Sequence, residues 1–200
     1  HGFIASVGLE LYMQMLSDAV QEAKGETPEP RPEVSVDLPV PAYLPEDYAP
    51  DRNQRIDLYR RLAGAPNPER LQDLVAEIGD RYGRPLPPAA RNLVRLAGIK
   101  IMCASAGVRR IAMEGSLAAL LLAEGRMLSP RLAQQLRKAL PAEIRIWLAM
   151  TEHDRVVVSL RNADVEQTFT RLEPVLEALS ALPLEEEARR QQRRDQLAAR

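Results

Sequence analysis

Residues 34–50 constrain the fold more than any other stretch of this chain. Val34, Val36 and Leu38 alternate with polar neighbours, the period of a half-buried strand. Pro39, Pro41, Pro45 and Pro50 then interrupt the run. A proline has no backbone N–H to give a ladder, so this segment cannot be a long central strand. The reading is a short strand followed by an extended, proline-studded run.

Two capped helices follow. Asp51 is the expected N-cap of the first, with Ile56, Tyr59 and Ala63 on its inward face. Asn67-Pro68 starts the second, because Asn accepts from the first-turn amides and Pro suits the first helical position. Leu71, Leu74, Val75, Ile78 and Tyr82 form its apolar stripe. Gly83 suits a positive-φ residue at its end, and Pro85 and Pro87 lie beyond.

Pro87-Pro88 opens a third helix, with Ala90, Leu93, Ala97, Ile101 and Ala104 inward and Gly107 at its end. Residues 108–113 and 117–122 read as strands around Glu114-Gly115-Ser116. Ser129-Pro130 repeats the cap-plus-proline start, and Pro141 closes that helix. Ile144, Ile146 and Leu148 alternate, as do Val156, Val158 and Leu160, which predicts a hairpin through polar residues 151–154. A last helix begins near Asn162-Ala163-Asp164, with Val165, Phe169, Leu172, Leu176 and Leu179 on one face. Pro174 falls inside it and predicts a kink or a break. The fold class is α+β: a compact domain of several helices on a small sheet of short strands.

Ahead of this domain, residues 1–24 read as a separate helix with Leu9, Tyr12, Met13, Leu16 and Val20 on one face. Pro28, Pro30 and Pro32 make residues 26–33 an extended linker. The expected organisation is an N-terminal helix (1–25), the linker (26–33), a domain (34–182) and a charged helical tail (183–200). The start without Met suggests a piece of a longer chain.

Composition narrows the function. With 27 basic and 28 acidic residues the net charge is −1, without the basic surplus of a dedicated nucleic-acid module. Cys103 is the single cysteine, so no internal disulfide forms, and its apolar setting reads as core. No uncharged apolar run reaches membrane-spanning length, and no signal peptide is evident. The expected location is cytoplasmic, with no membrane partner.

No catalytic set emerges. His1 and His153 are the only histidines, and no nucleophile pattern accompanies either. One cysteine and two distant histidines cannot supply a zinc set. Gly79 and Gly83 are not followed by Lys-Ser or Lys-Thr, so neither belongs to a phosphate loop. The expectation is no catalytic residue, no metal and no cofactor in this chain. Glu46-Asp47 reads as a helix-dipole pair.

Two charged features leave alternatives open. Asp73, Glu77 and Asp80 fall at i, i+4 and i+7 on the second helix. They form either a solvated face, with Glu77 pairing Arg81, or a docking stripe for arginines of another domain. Gly79 among them either admits a close neighbour or is merely tolerated. Arg189, Arg190, Arg193 and Arg194 in the tail could contact DNA, but Glu185 and Glu186 precede them at helix-pair spacing, which favours a solvated helix.

Two segments carry a family resemblance. Residues 2–19, GFIASVGLELYMQMLSDA, resemble the sequence after the translocation motif of bacterial transcription-repair coupling factors and their RecG-like relatives. Leu11-Tyr12 matches that pattern, while Leu9 replaces an aromatic residue after Gly8. Residues 36–87, with VDLPVPAYLPEDYAPD, LYRRLAGA and the DRYG ending, resemble the start of the family's C-terminal domain. The resemblance implies a non-catalytic regulatory domain of an ATP-dependent DNA translocase of excision repair. Such a domain docks on a UvrB-like module of the same protein, masks its UvrA-binding surface and restrains translocation. ATP and Mg would bind motor domains outside this chain. The wider partners implied are UvrA, RNA polymerase and, through the motor, DNA. Docking in the family uses acidic residues on the helix ending in the DRYG-type motif, which here are Glu77 and Asp80. Asp73 is added on spacing alone.

Overall fold

The computed structural model describes residues 34–149 and 155–184. The expected N-terminal helix and linker, His153 and the arginines of the tail lie outside the described residues. Those described fall into two compact units that divide after Ile101. The α+β class holds: five helices and five strands occur among the described residues.

The first unit starts with β1 (Ser35–Val36), only two residues long. Burial nevertheless alternates well past it. Val36, Leu38, Val40, Ala42 and Leu44 are buried, while Asp37, Pro39 and Pro41 are exposed. The period of two thus extends further than the strand, because prolines take outward positions where no ladder hydrogen bond is required. The run is pinned from both sides. Tyr43 N donates to Ala89 O at 3.2 Å, Leu44 N donates to the Tyr59 hydroxyl at 2.8 Å, and Asn92 Nδ2 donates to Pro41 O at 2.9 Å.

Helix α1 (Arg52–Ala63) begins where Asp51 accepts from Gln54 N at 2.8 Å. Its deepest residues are Leu58, Tyr59 and Leu62, with Ile56 and Ala63 half-buried. The inward face is therefore turned from the expected one, so that two leucines rather than the smaller alanine fill the interior. Helix α2 (Pro68–Tyr82) begins where Asn67 accepts from Arg70 N at 2.9 Å. Leu71, Leu74 and Ile78 are buried, and Val75 and Tyr82 lie at the margin. Gly83, at φ 102°, ends the helix and donates to Gly79 O. The two helices pack on each other. Helix α3 (Pro88–Ala106) follows, with Ala90, Leu93, Leu96, Ala97 and Ile99 buried in the first unit.

The end of α3 belongs to the second unit. Cys103 and Ala106 are buried there, whereas Ala104, expected inward, is exposed. Gly107, at φ 68°, closes the helix. The strands β2 (Val108–Glu114), β3 (Leu117–Leu122), β4 (Ile146–Ala149) and β5 (Arg155–Ser159) lie in the order β2-β3-β5-β4, every pair antiparallel. A two-residue turn with Gly115 at φ 65° joins β2 to β3 in register Glu114↔Leu117. Val156, Val157 and Val158 are all buried, so β5 departs from simple alternation as an interior strand flanked on both edges.

Helix α4 (Pro130–Ala139) starts on Ser129, and α5 (Val165–Ser180) starts on a reciprocal capping box of Asp164 and Gln167. The two helices pack together. Pro174 does not break α5. An interior proline costs about 3 kcal/mol, and burial of Phe169, Leu172, Val175, Leu176 and Leu179 along the same helix offsets it at ~1.5–3 kcal/mol per large side chain.

Candidate docking site

The acidic stripe stands on α2 opposite its buried face. Leu71, Leu74 and Ile78 point into the first unit, and the 3.6-residue period leaves Asp73, Glu77 and Asp80 exposed. Their side chains are 71%, 44% and 77% exposed. All three carboxylates have partners within the chain, and the partners differ in kind.

Glu77 is engaged across the helix pair. Arg61 Nη1, from α1, donates to Glu77 Oε1 at 2.8 Å, and Arg61 Nη2 donates to Oε2. This fork-to-fork arrangement is the stronger and more directional form of an ion pair. Arg61 also lies 3.8 Å from Asp57 one turn earlier. The hydrogen bond from Arg61 holds the Glu77 carboxyl below its ordinary range, and the same bond raises Arg61. Arg81, the partner expected from helical spacing, instead lies 6.0 Å from the centre of the Tyr82 ring.

Asp80 is engaged from the loop just past its own helix. Arg84 Nη2 donates to Asp80 Oδ1 at 3.1 Å and to the Ala76 carbonyl at 3.3 Å. The Arg84 stem lies along α2 over Gly79. A Cβ placed on Gly79 would stand 2.5 Å from Arg84 Nε and 3.0 Å from its Cγ. The atoms nearest to such a Cβ all belong to the Arg84 side chain, so the stem lies against the bare backbone of Gly79. Asp73 has the loosest contact, 3.6 Å from Arg70 within the same helix.

A polar clasp holds the end of α2 beside this stripe. Tyr48 donates its hydroxyl to Gly83 O at 2.7 Å, and Tyr82 donates to Gln54 Oε1 at 2.6 Å. The two rings sit 5.8 Å apart at 48°. Burial pushes the Tyr48 phenol up, with Arg84 opposing that shift. Arg55 ties the preceding loop, donating to Ala49 O at 2.6 Å, Pro50 O at 2.9 Å and Glu46 Oε1 at 3.2 Å. Glu46 therefore serves as an arginine partner. Tyr48, Arg61 and Arg84 were missed from sequence because they reach the stripe through tertiary contacts or the helix end.

Among the described residues, no group of three or more His, Cys, Asp or Glu side chains is placed to hold a metal ion. No described helix is long and apolar enough to cross a membrane.

Comparison with known proteins shows what this chain is similar to. The TRCF domain family matches residues 38–131. The transcription-repair-coupling factor of Myxococcus xanthus is 41% identical over 100 residues, covering 50% of this chain and 8% of that protein. The Bacillus subtilis (strain 168) protein of the same name is 35% identical over 125 residues, covering 62% of this chain and 10% of its own length. The chain thus spans about a tenth of the length of the curated relatives it matches. A crystal structure of the C-terminal domain of transcription-repair coupling factor superposes with a TM-score of 0.63 at 22% identity, covering 73% of this chain and 91% of that one. That likeness shows a shared fold. Residues 38–131 are thus similar to the TRCF domain, the chain is similar to transcription-repair-coupling factors over half or more of its length, and its fold is that of the C-terminal domain of such a factor.

Proposed function

We propose that this domain is a non-catalytic regulator of its parent coupling factor. It docks through the acidic face of α2 on a UvrB-like module of the same protein, masks the surface that binds UvrA, and restrains ATP-driven translocation on DNA. ATP and Mg are assigned to motor domains of the parent protein. Engagement of stalled RNA polymerase by the parent would release the module. The observation that carries this reading is the division of labour on α2. One face supplies Leu71, Leu74 and Ile78 to the interior, and the other presents Glu77 and Asp80 outward in the position that the family resemblance assigns to docking. Acidic side chains on a rigid, capped helix set orientation and partner choice for arginines of another surface.

The test is made in the full-length parent protein. Glu77→Ala with Asp80→Ala should raise UvrA binding and basal ATP hydrolysis in the absence of polymerase. UvrA affinity equal to wild type would sink the docking assignment. Charge reversal on both sides of the interface should partly restore the closed state.

A further inference from the structure

Glu77 and Asp80 meet arginines of this same chain in unlike ways, and the difference assigns them unlike roles. Arg61 and Glu77 form a two-point bond between neighbouring helices, with Arg61 only 31% exposed. Arg84 reaches Asp80 with one amino group, shared with the Ala76 carbonyl, and is 59% exposed. A bidentate pair between two helices resists exchange, whereas a single exposed contact from a loop is worth little and exchanges readily.

What Arg84 rests on has the form of a seat for a guanidinium. The Asp80 carboxylate and the Ala76 carbonyl are both acceptors. Between them Gly79 leaves bare backbone, on which an arginine stem can lie and where any Cβ would stand. A helix-interior glycine costs about 1 kcal/mol relative to alanine. Here it admits a side chain lying flat along the helix.

We propose that Asp80, the Ala76 carbonyl and Gly79 form a guanidinium seat that Arg84 occupies in the undocked domain and that an arginine of the docking partner takes by displacing it. Glu77, in contrast, keeps Arg61 in the docked state as well, which ties α1 to α2 and holds its carboxylate in place on the docking face. Arg84 is thereby an internal competitor that weakens docking and keeps the closed state releasable. This rests on the docking reading for the identity of the partner, while the seat itself is tested without it.

The first measurement titrates the 200-residue chain with N-acetylarginine methylamide, following the backbone amide signals of Gly79 and Asp80 by NMR. Arg84→Ala should show saturable shifts at lower probe concentration than wild type. Adding Asp80→Asn or Gly79→Ala to that variant should abolish them. No saturable shift in Arg84→Ala, or equal shifts with the acetyl-lysine analogue, overturns the seat. The second measurement is binding of the parent's UvrB-like module. Arg84→Ala should tighten it by up to about fivefold, the order expected when one exposed ion pair is removed from competition. Arg61→Ala should not tighten it but should lower thermal stability. Weaker binding by Arg84→Ala, or tighter binding by Arg61→Ala, overturns the exchange. If the probe titrates while the module binds no variant, the docking reading falls and takes the proposed exchange partner with it, leaving the seat.

Discussion

Arg61 on α1 and Glu77 on α2 hold each other by two parallel hydrogen bonds, sixteen residues apart in sequence. The pair joins the two helices that carry the family signature. Glu77 therefore cannot be treated as a docking side chain alone, since removing it also loosens the platform on which Asp80 stands.

The pair makes a pH prediction. The Glu77 carboxyl is held below its ordinary value of 4.5, chiefly by the hydrogen bond from Arg61. A lowered folded-state value stabilises the fold above the unfolded value and loses that contribution as pH falls through the folded one. Because Glu77 is nearly half exposed, solvent screening limits the effect to about 0.2–1 kcal/mol. Denaturation of wild type and Glu77→Gln should differ by that amount at pH 7, and the difference should shrink as pH falls below 4.5 and Glu77 becomes protonated. A difference that grows on acidification would refute the ion-pair origin.

The helix starts offer a local test. Asn67→Ala should destabilise by about 1 kcal/mol, since it removes the acceptor for Arg70 N. Asp164→Ala should cost about as much, because it removes the acceptor for Gln167 N while the backbone amide of residue 164 can still donate to Gln167 Oε1. Asn67→Asp, which keeps the acceptor, should be near neutral by chemical denaturation.

The inward face of α2 should behave differently from its outward face. Ile78 is fully buried, and Ile78→Ala should cost about 2–5 kcal/mol in urea unfolding. Asp73→Ala, at an exposed position with one loose partner, should change stability by less than about 0.5 kcal/mol.

Cys103 provides a reporter of opening. It is fully buried and is the chain's single cysteine. A buried thiol reacts only when exposed. Its labelling by a thiol reagent should be slow in native buffer and should accelerate in parallel with the unfolding transition. Rapid native labelling would mean that the end of α3 opens on its own.

Much of the architecture was legible in the chain. Asp51, Asn67 and Ser129 marked helix starts, and Asn162-Ala163-Asp164 bracketed a fourth, because a cap acts on amides two or three residues away. Gly83 and Gly107 marked helix ends for the same local reason. Burial outweighed local preference elsewhere. Pro174 offered a kink or a break, and α5 is not broken there, with its apolar stripe buried on both sides. Val34, Val36 and Leu38 predicted a strand, yet only Ser35–Val36 form one, although burial alternates on to Leu44.

The acidic stripe shows where local reasoning stops. Spacing alone placed Asp73, Glu77 and Asp80 on one outward face of α2, because helical geometry is settled within a few residues. Spacing also offered Arg81 to Glu77, and tertiary structure chose Arg61. That choice depended on how α1 lies against α2, two helices in contact that bury Leu58 and Leu62 on one and Leu74 and Ile78 on the other. Likewise the glycine at position 79 was plain in the sequence, but its use was decided only when the chain turned after Gly83 and laid Arg84 along the helix. Periods, caps and exposed faces follow from local backbone geometry. Partners follow from packing, which brings distant side chains together only after the core has formed.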